Sequence, residues 1–100
     1  WDLVVEVHIL QAIPEDVRVL AAPILPDLLA PGGSLVSVGR VESSRLETPG
    51  PPWPLSRDFI LSIGGNLNLT SISYPIEIVH GEEVHRYITS WQCPTNDHRT

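Results

Sequence analysis

The chain has 100 residues, 42% of them hydrophobic, and a formal net charge of −6, with its six basic residues all arginine against twelve acidic ones. That length fits one small domain or part of a larger one, and so few, scattered cations argue against nucleic acid or an anionic membrane as partner. The lone Cys93 rules out an intrachain disulfide, no apolar run reaches the ~18 residues of a membrane span, and a reducing cytoplasm is the expected location.

Trp1-Asp2-Leu3 carries no basic leader, and opening straight onto a strand-like segment suggests that an N-terminal portion is missing. Leu3-Val4-Val5 is a continuous apolar run, which suits a strand buried on both faces of a parallel sheet. Glu6 and His8 follow at its C-terminal end, where open α/β sheets place their ligands. Ile9 to Pro14 reads as the loop leading out. From Glu15 the positions Val17, Leu20, Ala21, Ile24, Leu25, Leu28 and Leu29 recur at helical spacing. Pro14 fits the first helical position, and Glu15 and Asp16 suit the macrodipole of the first turn. Pro23 should split this helix into Glu15–Ala22 and Ile24–Leu29.

Pro31-Gly32-Gly33 then stops the helix, one glycine taking positive φ, and Ser34 to Val38, reaching toward Val41, forms a second strand. Arg40 falls at its C-terminal end. Glu42 to Pro54 reads as a proline-stiffened loop holding Trp53. Ser56 is the expected cap of a short helix carrying Phe59, Ile60 and Ile63, closed by Gly64-Gly65. Leu67 to Ile78 is strand-like with Pro75 at an edge or bulge. His80 to Glu83 is expected as a four-residue turn into a last strand from Val84 to Trp91. Residues 1–93 make one partial domain and 94–100 a polar tail.

That order of elements, with these words in place, resembles the C-terminal half of a class I S-adenosylmethionine-dependent methyltransferase. Asp2-Leu3-Val4-Val5 matches the family's fourth strand. Leu28-Leu29-Ala30-Pro31-Gly32-Gly33-Ser34-Leu35-Val36 matches the helix, turn and fifth strand. Pro51-Pro52-Trp53-Pro54-Leu55-Ser56-Arg57 looks like a branch that acts on small molecules. The resemblance covers about Trp1 to Trp91. It implies an α/β fold, half of a Rossmann-like sheet, with two parallel strands, a terminal antiparallel hairpin and flanking helices. It also implies S-adenosylmethionine as cofactor and a small-molecule methyl acceptor. The family's glycine-rich loop and the acidic residue ending its second strand have no counterpart here. Alone, the chain is therefore expected to be inactive.

Within that frame His8 is the candidate general base, since imidazole titrates near neutrality, and the bland reading is a hydrogen bond to the loop around Gln11. Glu6, His8, Trp53 and Arg40 are the candidate substrate contacts. Trp53 either lids the pocket or packs its loop onto the sheet edge. Arg40 either meets an acidic group or is a solvated strand-end cation. His80, His85 and His98 lack metal-ligand spacing, so no metal is expected. A rival reading of another class is a non-catalytic module that dimerises through the sheet edge left open by missing strands. A dehydrogenase is a third reading, which a purely parallel last strand would favour.

Overall fold

A computed structural model of the chain describes residues 1–42 and 54–95. Strand β1 (Leu3–Val7) pairs in parallel with β2 (Ser34–Arg40), Val5 standing opposite Val36. Between them lie a 3-10 turn at Leu10–Ala12 and the helices α1 (Glu15–Ala21) and α2 (Ile24–Asp27). Helix α3 (Arg57–Ser62) follows, then β3 (Asn68–Ser73), β4 (Ile76–Val79) and β5 (Glu82–Gln92). The five-stranded sheet runs β1-β2-β5-β3, with β4 on the first part of β5. Strand β5 is antiparallel to both β2 and β3, so the last strand is inserted between the parallel pair and the hairpin's outer edge.

Local chemistry accounts for most boundaries. The Ser56 hydroxyl accepts from the Phe59 amide at 3.1 Å and caps α3 as expected. Pro23 caps α2 and separates it from α1, and Pro14 sits one position earlier than expected, as the cap of α1. Pro75 interrupts the outer edge between β3 and β4, where its missing amide costs no ladder bond. The expected four-residue turn is instead a two-residue one. His80 and Gly81 take φ of 51° and 80°, the paired positive values whose twist matches that of the strands they join. Glu82 and Glu83 therefore belong to β5.

The helices α1 to α3 all lie against one sheet face, over Leu35, Tyr87 and Trp91. Ile60 and Ile63 of α3 are buried there, and Gly64 is obligatory because a Cβ would collide with the Trp91 ring. The apolar positions of α1 do not behave as their spacing suggests. Val17 and Leu20 are 46% and 75% exposed, while Arg18 and Ala22 turn inward. Arg18 tolerates burial because its Nε donates to the Leu10 carbonyl at 2.8 Å and its guanidinium also reaches the Ile13 carbonyl. The opposite sheet face also departs from expectation. Leu3, Val5 and Val7 are 58%, 53% and 47% exposed, so β1 is covered on one side only among the described residues. No described helix is long and apolar enough to cross a membrane.

Candidate functional site

Beyond Val7 the His8 amide donates to the Val38 carbonyl at 2.9 Å, extending the parallel ladder by one residue. His8 then turns the chain with φ of 62°, a left-handed conformation that costs a side-chain-bearing residue about 1–2 kcal/mol. Glu6 holds that turn. Its Oε1 accepts from the amides of Ile9 at 2.6 Å and Leu10 at 2.9 Å, and its Oε2 accepts from the Ser37 hydroxyl at 2.5 Å. Ser37 Oγ also lies 2.8 Å from the Tyr87 hydroxyl. Burial pushes that phenol well above its usual range, and the Glu6 carboxylate adds to the effect. At 3% exposure, with three donors supplied by its own chain, Glu6 shapes the turn that carries His8 and faces no solvent.

Gln11 occupies the 3-10 turn and is 1% exposed. Its Oε1 accepts from the Arg40 amide at 2.6 Å, the bond a longer β1 would otherwise supply. Gly39 is required beside it, since a Cβ would strike both Gln11 and the Tyr87 ring. Arg40 ends β2 directly opposite Arg86 of β5, so both side chains leave the same sheet face. The Arg86 guanidinium lies 3.5 Å from His8 Nε2 and 2.7 Å from the Glu77 carboxylate. The Leu55 amide donates to the Arg40 carbonyl and brings the chain back to this corner.

Of the residues expected at the site, His8 and Arg40 thus meet at one corner, joined through Arg86, while Glu6 lies beneath it. Trp53 and His98 fall outside the described residues. Arg86 escaped the sequence reading, and Gln11 entered it only as part of the loop beside His8. Arg86 sits in an alternating strand like any solvated cation, and only the β2–β5 register brings it to Arg40. Gln11 gave one signal, its position just past a strand end.

A groove of about 900 Å³ lies at the other end of the sheet between α1, α2, α3 and the start of β3. Asp27 and Cys93 are the titratable groups in its lining, with no basic residue to pair them. It is far along the strands from His8 and Arg40.

The described glycines offer no cradle for a nucleoside cofactor. Gly33 is packed against the carbonyls of Trp1 and Ala30, Gly39 against Gln11, and Gly64 against Trp91. The positive-φ glycines Gly32, Gly65 and Gly81 close turns of the chain itself, and none opens a helix at the C-terminal end of a parallel strand. The residues present do not fit S-adenosylmethionine by themselves.

No protein-family profile and no curated protein matches the chain. Solved structures do. A SAM-dependent methyltransferase from Methanosarcina mazei superposes with a TM-score of 0.71 at 12% identity, over 96% of this chain and 60% of that one. A protein structure described for conversion of a disulfide bond into a thioacetal group during echinomycin biosynthesis gives 0.64 at 15% identity, over 97% and 51%. The chain spans little more than half the length of either. With its antiparallel last strand inserted beside the parallel pair, it has the fold of the C-terminal half of a Rossmann-like methyltransferase sheet.

Proposed function

We propose that the chain is the C-terminal part of a cytoplasmic S-adenosylmethionine-dependent methyltransferase acting on a small molecule, and that it is inactive alone. The strand order β1-β2-β5-β3, with β5 antiparallel, carries this reading and separates it from a dehydrogenase with a parallel last strand. In this proposal the described residues supply the substrate side of the crevice. His8 is the base candidate, Arg40 a substrate contact, and Glu6 the residue that positions His8. Trp53 is a further proposed substrate contact. The cofactor would rest mainly on residues upstream of Trp1.

Calorimetry tests it. A chain extended by its upstream coding sequence is expected to bind S-adenosylmethionine, whereas residues 1–100 alone give no heat. Absence of heat from the extended chain at millimolar cofactor would sink the proposal.

A second reading, a dimerisation module, is favoured by one observation: the apolar outer face of β1 stands beside a strand edge that is unpaired among the described residues. Light scattering decides it, since a monomer at high micromolar concentration excludes this role.

A further inference from the structure

Pro23 and Pro26 confine α2 to a single turn, and Gly65 closes α3 with φ of 55°. The ends of α2 and α3 meet there, since a Cβ on Gly65 would stand 3.7 Å from the Pro26 ring. Helices this short leave a gap above the start of β3, and the groove of about 900 Å³ occupies it. Val19, Leu29, Phe59 and Leu67 make its walls mostly apolar, and the buried Ala22 and Ile63 carry it down to the core. Its volume falls in the range of ~300–1,000 Å³ typical of small-molecule clefts. It stands at the opposite end of the sheet from His8 and Arg40, so the proposed methyl transfer makes no use of it.

The charge of this groove has one sign. Among the described residues Asp27 is the charged group of its lining, and no described ion pair engages that carboxylate. The described arginines are held elsewhere. Arg57 stacks 4.1 Å over the Tyr74 ring, and Arg40 and Arg86 stand at the far end of the sheet. Arg18 lies 5.8 Å from the Phe59 centroid, outside the lining, with its donors on the Leu10 and Ile13 carbonyls. Ala22, Asp27 and Ser62 also mark the C-terminal ends of α1, α2 and α3. Carbonyls of a last helical turn carry partial negative charge, so the backbone adds to the carboxylate. An apolar gap with a negative pole and no cation of its own complements a positive charge on an apolar body.

We propose that this groove binds a small arylalkylamine, its ring against Phe59 and Leu67 and its ammonium group toward Asp27. Ring burial supplies most of the affinity, and the carboxylate selects the sign of the charge. The site stands apart from the proposed methyltransferase reading and does not depend on it.

The test follows backbone amide resonances of the ¹⁵N-labelled full chain at constant ionic strength, with no cofactor present. Tryptamine, its neutral alcohol analogue tryptophol and the anion indole-3-propionate are titrated separately. The Asn66, Leu67 and Cys93 amides should move along one saturating curve with tryptamine, while Val38 at the far end stays still. Tryptophol should bind more weakly, and indole-3-propionate more weakly again. Asp27→Asn alters an exposed side chain and should weaken tryptamine about three- to fivefold, leaving tryptophol unchanged. Val19→Lys, at an exposed position of α1, should reverse the order of the amine and the acid. Arg99→Gln, in the C-terminal tail, should leave tryptamine affinity as it is. Tighter binding in that variant would make the chain's own tail the occupant and overturn the proposal. Linear shifts, equal affinity for the three compounds, or unchanged tryptamine affinity in Asp27→Asn would each overturn it as well.

Discussion

The two faces of this sheet are built from the same strands and yet have opposite surroundings. Under the helices, Leu35, Ser37, Tyr87, Thr89 and Trp91 are nearly inaccessible, and the polar members find partners within the face. On the other side Val5, Val7 and Ile88 are 53%, 47% and 41% exposed, with Arg40 and Arg86 at one end. The difference shows that alternation along a strand says which residues share a face, while the cover on that face comes from other segments. Both solved structures of similar fold are longer than this chain, which spans 60% and 51% of them.

Substitutions can break or sharpen this contrast. The largest effect is expected at Trp91, whose removal empties the space between α3 and β5. Trp91→Ala should cost about 3–5 kcal/mol in urea unfolding, enough to unfold much of a domain of this size. Next comes Glu6→Ala, which strands the amides of Ile9 and Leu10 and the Ser37 hydroxyl. A loss of about 2–3 kcal/mol is expected, with altered His8 chemical shifts, and unchanged His8 signals would show that Glu6 does not set the turn.

Tyr87 gives a pH signature of the covered face. Its phenol titrates higher in the folded chain than in the unfolded one, so its contribution to stability is complete below the ordinary tyrosine value near 10. Above that value the unfolded state ionises first and the contribution is lost. Urea midpoints should therefore fall above about pH 10, and Tyr87→Phe should flatten that fall. The smallest effect is expected on the open face. Val5→Thr should change stability by less than about 0.5 kcal/mol. A larger loss, dependent on protein concentration, would mean that a second copy covers the face in solution.

Much of the fold was legible in local chemistry. The breaks at Pro23, Gly32-Gly33 and Gly65 and the Ser56 cap follow from proline geometry, positive φ and an orphaned amide, all of which act within a few residues. The hairpin was legible too, though its turn was read two residues too long. Burial of α1 was not. An arginine faces inward there because two carbonyls of the preceding loop receive it, and spacing along a helix carries no information about such partners. The site divided in the same way. His8 and Arg40 were visible as strand-end residues, but Glu6 proved to be buried beneath them, Gln11 was read only as a loop residue beside His8, and Arg86 was overlooked.

The amino-acid sequence by itself determined the order of strands and helices, because capping, proline and glycine effects are local. Only the tertiary structure decided which strands became neighbours. The β2–β5 register set Arg40 opposite Arg86, and the turn after β1 drew Gln11 to the Arg40 amide. Those contacts join residues 29 or more positions apart, where pairing depends on the closure of the whole sheet.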